Sequence, residues 1–211
     1  MSVGASAGIR REDLDRLREG FLGKRRWYRP LVHLLRLPGG GKAVVKDFRP
    51  CPWLLRATYG RFLVAREARA YAALEGVEGV PRFLGRIDPF ALAFEWVPGR
   101  DLGKCPRGSL GAATFDRLAA TVAEMHRRGV VHLDLRQRRN VLVDEAGIPR
   151  VIDFSSALVL RPGGWRMRRL AAVDVSGVLK YKRRFLPDSL TDDERARLRR
   201  VERWRRWWPF S

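Results

Sequence analysis

The sequence predicts an α+β fold of two lobes, with a β-rich N-terminal lobe in residues 1–97 and a short, mainly helical C-terminal lobe in residues 98–211. Three observations lead to this prediction. The apolar residues of the first part fall mostly in short extended runs that Gly- and Pro-containing turns separate. The apolar residues of the second part recur mainly with helical period. One strand-turn-strand pattern, residues 141–154, interrupts that helical part.

The N-terminal lobe combines strands with one long helix. Pro38-Gly39-Gly40-Gly41 is a turn sequence between two extended runs, which predicts a β-hairpin. Glu67 falls within the apolar stripe of the long helix. The predicted elements are a helix at 11–19 ended by Gly20, strands at 28–37 and 42–48, a helix at 56–75, and strands at 81–87 and 91–96.

The C-terminal lobe contains three predicted helices and one hairpin. In the first helix the apolar residues recur at offsets of about 0, 3, 7 and 10, which is the spacing of an amphipathic helix. The predicted elements are a helix at 113–128 stopped by Gly129, hairpin strands at 141–143 and 150–154, a helix at 168–184, and a last helix opened by the capping box Thr191-x-x-Glu194.

The composition restricts the class of protein. Forty-three Lys and Arg residues against 23 Asp and Glu residues give a formal charge of +20, which favours anionic partners such as nucleotides, phospholipid surfaces or nucleic acid. Cys51 and Cys105 lack the spacing of a zinc site or a disulfide framework. No apolar run is long enough to cross a bilayer and no secretory signal is recognisable, so we expect a cytoplasmic protein.

Four polar residues around the predicted hairpin form a candidate reaction site. Asn140 precedes the first strand and Asp153 ends the second, so an antiparallel hairpin brings them together as oxygen ligands of the kind that Mg²⁺ prefers. Asp134 lies on the preceding loop, where it can reach a substrate hydroxyl, and Arg136 can neutralise charge on a transferring phosphoryl group. Taken singly, each is also compatible with a solvated loop residue.

A buried ion pair is predicted in the N-terminal lobe. A glutamate in an apolar stripe is costly unless a cation pairs with it. Lys46 alternates with Val44 and Phe48 on one strand face and is the natural partner of Glu67. Such a pair can hold nucleotide phosphates. The alternative is a surface lysine and an unrelated glutamate on the helix.

In this order the motifs resemble those of the protein-kinase-like superfamily. The matching pieces are Val44-Val45-Lys46, Glu67, the hinge Phe94-Glu95-Trp96-Val97, His132-Leu133-Asp134 with Asn140, and Ile152-Asp153-Phe154. The resemblance implies an ATP- and Mg²⁺-dependent kinase. It implies Asp134 as catalytic base, Asn140 and Asp153 as metal ligands, Lys46 on the ATP phosphates held by Glu67, and backbone groups of Glu95 and Val97 on adenine.

The chain departs from the superfamily pattern in several places. A Gly-rich loop is missing, and the basic loop at 23–26 either covers the phosphates in its place or is a solvated turn. Six positions separate Asp134 from Asn140, one more than the signature allows, so the loop must bulge or Asn140 is misassigned. Leu133 stands where many protein kinases have arginine, and Ser155 replaces the glycine after Asp153-Phe154. Asp174 matches either the aspartate that braces the catalytic loop or a helix-surface residue.

The short C-terminal part resembles the compact bacterial lipopolysaccharide (Kdo) kinases and the RIO-like kinases. The expected reaction is transfer of the ATP γ-phosphoryl group to a hydroxyl, with a lipopolysaccharide-type sugar of a glycolipid as favoured acceptor. The alternatives are a RIO-like serine/threonine protein kinase, a non-catalytic pseudokinase that binds a nucleotide, and, from charge alone, a nucleic-acid binder.

The C-terminal tail combines charge with aromatic residues. Residues 161–211 carry 15 basic and 6 acidic groups, and Trp204, Trp207 and Trp208 lie near the end. A basic helix edged with tryptophan suits peripheral contact with an anionic surface such as the inner membrane. The alternative is that the tryptophans pack on the C-terminal lobe.

Overall fold

The computed structural model describes residues 8–205, with side chains described to residue 203. The chain divides into two compact units. The first comprises Met1–Glu75 with Pro81–Val97, and the second Gly76–Val80 with Pro98–Ser211. Within the described range no helix combines the length and apolar character that crossing a membrane requires.

From residue 8 onward, the first unit contains an antiparallel sheet of five strands and one long helical segment. The strand order is β1-β2-β3-β5-β4. The elements are α1 (Asp13–Arg16), β1 (Arg18–Phe21), β2 (Leu31–Arg36), β3 (Lys42–Asp47), α2 (Trp53–Leu55), a π-helical turn (Arg56–Gly60), α3 (Arg61–Ala73), β4 (Phe83–Asp88) and β5 (Ala91–Glu95). The predicted hairpin is present, since β2 pairs with β3 across the glycine-rich turn.

The predicted helix at 11–19 is wrong in its second half. Only α1 is helical, and Gly20 lies inside β1 instead of ending a helix. Arg18 pairs with Leu35 of β2, and the register shifts between Arg18 and Gly20, which marks a β-bulge. Pairing with β2 outweighs the local helical spacing because it satisfies the backbone of the sheet edge.

The long helix begins earlier than the spacing predicts, at Trp53 instead of residue 56. A π-helical turn joins α2 to α3 and ends at Gly60. A Cβ atom at Gly60 would lie 3.1 Å from the Cβ of Phe48, so this glycine allows the close approach of helix and chain. On the same side of α3, Val64 and Glu67 are buried.

A partly buried charged cluster ties the N-terminal segment to the sheet. The Arg11 guanidinium binds both carboxylate oxygens of Asp47, at 2.8 and 3.1 Å, and its Nε donates to Asp88 at 2.5 Å. His33 is only 4% exposed, and neither of its ring nitrogens has a hydrogen-bond partner. Its Nε2 lies 3.8 Å from Asp47 Oδ2.

Acidification should destabilise the protein through His33. Burial lowers the pKa of the His33 imidazole from 6.5, although Asp47 and Asp15 oppose the shift while Arg18 and Arg11 add to it. The unfolded chain therefore takes up the proton first as the pH falls below about 6.5, and the free energy of unfolding decreases until the folded state also protonates. Urea unfolding between pH 8 and pH 5 measures this.

His33→Gln is the matched variant for the pH effect. His126 and His132 are present in both proteins, so the difference between the two stability curves isolates His33. We expect that difference to be constant above pH 7.5 and to change below pH 6.5. Parallel curves over the whole range would contradict the assignment.

As far as residue 205, the second unit contains three α-helices and three short strand pairings. The elements are β6 (Arg100–Asp101), α4 (Ala112–Arg127), β7 (Val130–Val131), β8 (Val141–Val143), β9 (Pro149–Val151), β10 (Leu158–Val159), α5 (Trp165–Phe185) and α6 (Asp192–Arg205). β8 and β9 form the predicted hairpin, and β6 pairs with β8 on its other side. The second hairpin strand ends at Val151 instead of residue 154, because a 3₁₀ turn at Phe154–Ser156 follows.

The last helix packs within the second unit. The capping box is confirmed, since Glu194 N donates to Thr191 Oγ1 and Thr191 N donates to Glu194 Oε2. Leu198 is 1% exposed, and Lys182 of α5 binds Glu194 at 2.8 Å. The described part of α6 is therefore a packed helix. The side chain of Trp204, together with Trp207 and Trp208, lies outside the described residues, and membrane contact by the tail stays a prediction.

Candidate active site

Asp134 and Asn140 come together at the two ends of one loop. Asn140 is 1% exposed, and its Nδ2 donates to the Asp134 carboxylate at 2.9 Å and to the Asp134 carbonyl at 3.0 Å. A 3₁₀ turn at Arg138–Asn140 accommodates the extra residue of the loop. The neighbours Gln137 and Arg139 are exposed, so Asn140 is the residue directed at Asp134.

The loop is held from below by Asp174 of α5. The Asp174 carboxylate, 1% exposed, accepts from His132 N at 2.7 Å and from Leu133 N at 2.8 Å. His126 Nε2 of α4 lies 3.0 Å from the same carboxylate. Leu133 has φ of 68°, a left-handed conformation that is strained for leucine. Of the two alternatives from the sequence, the geometry matches the brace and not the surface aspartate.

Two further side chains and a glycine on α5 line the same loop. Tyr181 donates its hydroxyl to Leu135 O at 2.6 Å, and burial raises the pKa of this phenol far above its ordinary value. A Cβ atom at Gly177 would lie 3.2 Å from Arg136 N, so glycine allows α5 to approach the loop backbone closely. Arg136 Nη1 donates to Ser176 Oγ at 2.9 Å, which anchors the guanidinium beside α5.

His132 joins the loop to the end of the hairpin. Asp134 N donates to His132 Nδ1 at 3.3 Å, and His132 Nε2 lies 3.0 Å from the carbonyl of Ile152. A carbonyl can only accept, so these two contacts fit an imidazole with its proton on Nε2. The buried ring packs on Phe154 with centroids 4.8 Å apart. His132 thereby fixes Asp134 relative to the residues around Asp153.

Asn140 and Asp153 lie at the same end of the β8–β9 hairpin. Ile152 N donates to Asn140 O at 2.9 Å, which extends the ladder by one step beyond Val151. Asp153 has φ of 66°, and its Oδ1 accepts from Ser155 Oγ at 2.8 Å. Ser155, at the position where the superfamily pattern has glycine, therefore adds a side-chain hydrogen bond to the turn.

The donor set of this hairpin end fits magnesium. Asn140 commits its amide nitrogen to Asp134, so the amide oxygen is the end that can bind a cation. With the Asp153 carboxylate it offers the hard oxygen ligands that Mg²⁺ takes together with substrate phosphates and water. No cluster of three or more His, Cys, Asp or Glu side chains suited to a metal occurs among the described residues. A Mg²⁺ ion that relies on nucleotide oxygens does not need one.

The predicted Lys46–Glu67 pair is present in the first unit. Lys46 Nζ lies 2.7 Å from Glu67 Oε1, and the Glu67 side chain is 2% exposed. The ammonium also lies 5.7 Å from the ring centroid of Phe94. The Lys46 side chain is 16% exposed and that of Glu67 2%, so the carboxylate is the more deeply buried member of the pair.

The predicted hinge begins inside β5, whose last residue is Glu95, and ends at Val97 beyond the strand. Glu95 N donates to Arg82 O at 2.9 Å, so the carbonyl is the backbone group of Glu95 that is a candidate for adenine. Among the described residues, Val97 N has no backbone hydrogen-bond partner. The basic loop at 23–26 is exposed between β1 and β2, and its two interpretations stay open.

Sequence reasoning missed the supporting residues on α5. Ser176, Gly177 and Tyr181 hold the loop, yet a serine, a glycine and a tyrosine in a predicted helix carry no distinctive signal. The spacing offered one hint: positions 174, 177 and 181 are three and four residues apart, which places them on one face of α5 in successive helical turns. Of the supporting α5 residues Asp174, Ser176, Gly177 and Tyr181, the motif order singled out only Asp174.

Comparison with known proteins agrees with the motif order. Two relatives described as 3-deoxy-D-manno-octulosonic acid kinase, from two strains of Xylella fastidiosa, are 30% identical over 153 residues, which is 72% of this chain and 52% of each relative. The chain thus spans about half the length of these curated relatives. A serine/threonine-protein kinase of Saccharomyces cerevisiae is 33% identical over 72 residues, 32% of this chain and 6% of that protein. No protein-family model matches.

A solved structure has the same fold. The Rio2 kinase of Chaetomium thermophilum, in its ADP/Mg²⁺-phosphoaspartate complex, matches with a TM-score of 0.63 at 15% identity over 90% of this chain and 62% of that chain. The predicted α+β fold, an antiparallel sheet followed by a helical part, is confirmed by this match. The resemblance inferred from the motifs is confirmed as well.

Proposed function

We propose that this chain, which belongs to the protein-kinase-like superfamily, is an ATP- and Mg²⁺-dependent phosphotransferase that acts on a hydroxyl group. One observation carries the proposal. The Asp134 carboxylate is oriented by Asn140 Nδ2 at 2.9 Å within a loop whose backbone is fixed by Asp174. A carboxylate held in this way and left partly exposed is suited to receive a substrate hydroxyl.

Asp134 acts on the acceptor. Its carboxylate accepts a hydrogen bond from the hydroxyl and aligns the oxygen for in-line attack on the γ-phosphorus of ATP. It takes up the hydroxyl proton as the new P–O bond forms, while the bond from the γ-phosphorus to the β,γ-bridging oxygen breaks and ADP leaves. Asn140 holds the carboxylate in place during this transfer, and the His132 ring holds the backbone N–H of Asp134. Arg136, anchored by Ser176, supplies positive charge beside the transferring group.

The remaining residues bind the donor. Lys46, aligned by Glu67, pairs with ATP phosphate oxygens, and the Glu95 carbonyl with the Val97 N–H contacts adenine. Asn140 and Asp153 would hold Mg²⁺, which supplies charge neutralisation on the phosphate oxygens when bound. The ADP/Mg²⁺ named for the Rio2 kinase structure supports nucleotide and metal use in this fold.

The favoured acceptor is a sugar hydroxyl of a lipopolysaccharide-type glycolipid. It is supported by the 30% identity to the two 3-deoxy-D-manno-octulosonic acid kinases. A protein hydroxyl is the second candidate, favoured by the segment shared with the yeast protein kinase and by the fold shared with the Rio2 kinase. The pseudokinase alternative predicts nucleotide binding without turnover.

Replacing either acidic site residue should abolish phosphotransfer. We expect Asp134→Ala and Asp153→Ala to lower ATP turnover with Mg²⁺ by about 10²- to 10⁴-fold, because the first lacks the base and the second a metal ligand. Turnover is measured as ADP release, with a Kdo-containing lipopolysaccharide fragment or a generic protein acceptor in separate reactions.

Asp116→Ala is the matched control, since Asp116 is an exposed aspartate of α4. It should retain wild-type turnover and the same circular dichroism spectrum as the two site variants. Equal turnover in wild type and site variants would overturn the enzyme proposal. If only the protein acceptor stimulates ADP release, the substrate is a protein hydroxyl and not the sugar. ATP binding without turnover in any reaction would establish the pseudokinase.

A further inference from the structure

The helical segment that opens with α2 exposes large apolar side chains. The exposed fractions are 71% for Trp53, 60% for Leu54, 52% for Tyr59 and 59% for Phe62. Single exposed apolar residues are ordinary, but four within ten residues form a patch of the kind that contacts another surface.

The patch lies on the side of the segment that faces away from the sheet. Gly60 packs against Phe48, and Val64 is fully buried, which fixes the inner side. Leu54, Thr58 and Phe62 follow one another at intervals of four, about one helical turn, on the outer side. Thr58 Oγ1 donates to Leu54 O at 2.7 Å, so this hydroxyl is satisfied within the helix and can leave water at little cost.

The charge of this segment has one sign. Between Asp47 and Glu67 the sequence contains Arg49, Arg56, Arg61 and Arg66 and no acidic residue. Arg56 Nη1 donates to Arg49 O, and the Arg66 guanidinium lies 5.9 Å from the centroid of the Phe62 ring. Aromatic and cationic groups are thus interleaved on the same short segment.

A second segment of the same composition adjoins the first. Residues 22–30 contain Lys24, three arginines and no acid, and Trp27 is 72% exposed. Cys51 Sγ donates to Arg29 O at 3.3 Å, which places this loop against the residue that precedes Pro52. The two segments together form what we call the aromatic–arginine face, residues 22–30 and 49–66.

We propose that the aromatic–arginine face docks the first unit on a bilayer that contains anionic phospholipids. Tryptophan, tyrosine and phenylalanine favour the headgroup boundary, and arginines there meet lipid phosphates. The docking does not depend on which acceptor is phosphorylated. It locates membrane contact on a different part of the chain from the C-terminal tail.

Two other occupants fit the face less well. A second copy of the chain would bring two arginine-rich faces together without carboxylates to neutralise them. Single-stranded RNA could stack on the aromatic rings, but the exposed Leu54 and the internally satisfied Thr58 offer it neither stacking nor hydrogen bonds. A bilayer interface, where acyl chains border lipid phosphates, accommodates the aromatic rings, the exposed Leu54 and the arginines together.

Vesicle binding by the full chain tests the proposal. We expect sedimentation with vesicles of phosphatidylcholine and phosphatidylglycerol, little with phosphatidylcholine alone, and about tenfold or more weaker binding by Trp53→Ser/Phe62→Ser. The matched control is Trp165→Ser, because Trp165 is 60% exposed with Arg166 and Arg169 near its ring in the second unit. This control should bind like wild type.

A second variant and a second ligand keep the outcome decisive. Leu54→Ser alters an exposed side chain without an aromatic ring and should also weaken vesicle binding. Wild-type binding by Trp53→Ser/Phe62→Ser, or an equal loss in Trp165→Ser, would overturn the proposal and assign vesicle binding elsewhere. If Trp53→Ser/Phe62→Ser loses binding to single-stranded RNA but not to vesicles, RNA is the occupant of the face. If its only change is from dimer to monomer, a second copy of the chain is the occupant.

Discussion

Asp174→Ala should be the most destabilising single substitution in the second unit. It removes the acceptor of two backbone N–H groups, those of His132 and Leu133, and the partner of His126. Each buried donor left without an acceptor costs about 1–3 kcal/mol, so we expect the free energy of unfolding to fall by about 3 kcal/mol or more. Urea unfolding followed by circular dichroism measures the change.

The same substitution should also reduce phosphotransfer in the protein that remains folded. Leu133 keeps its left-handed φ of 68° only while Asp174 holds the neighbouring N–H groups, and Asp134 follows directly in the chain. Asp174→Asn retains one acceptor oxygen, so its unfolding free energy and its turnover should lie between those of the wild type and of Asp174→Ala. The exposed Asp188 provides the control Asp188→Ala. If Asp174→Ala were as stable as this control, the brace would contribute nothing to the fold.

The elements that the sequence predicts well are those whose pattern is local. The β2–β3 hairpin has a glycine-rich turn between two extended runs, and α4 has a regular apolar stripe of Phe115, Leu118, Val122 and Met125, all buried. The strands β6, β7 and β10 have two residues each, too few to show a period. They form because distant parts of the chain pair with each other, and no short window of the sequence contains both partners.

The candidate site was predictable where a residue type conflicts with its surroundings. Glu67 in an apolar stripe requires a cation, which favours Lys46 as its partner in the sequence, and the structure decides between this pair and the alternative of a surface lysine. Asn140 was ambiguous because spacing along the chain does not reveal the 3₁₀ turn that directs it toward Asp134. The conformation of Leu133 was not predictable, since leucine rarely adopts positive φ and only the Asp174 brace explains it.

Lys46→Met should separate stability from catalysis. It removes the ammonium 2.7 Å from Glu67, whose side chain is 2% exposed, so a buried carboxylate loses the charge that faces it. Breaking a buried pair from one side typically costs about 3–5 kcal/mol, and we expect a loss of unfolding free energy near the lower end because Lys46 is partly exposed. ATP turnover should fall by at least about a hundredfold, since the phosphates lose a positioning cation.

The double variant Lys46→Met/Glu67→Leu distinguishes the two effects. Replacing both members of a buried pair by apolar groups of similar volume restores much of the stability that removing one member costs. The double variant should therefore unfold at a higher urea concentration than Lys46→Met while its turnover stays as low. Recovery of turnover together with stability would mean that Lys46 acts only through the fold, and full activity of Lys46→Met would remove it from the phosphate site. Lys42→Met, which removes a partly exposed lysine of the same strand from its pair with Glu19, controls for the loss of one positive charge.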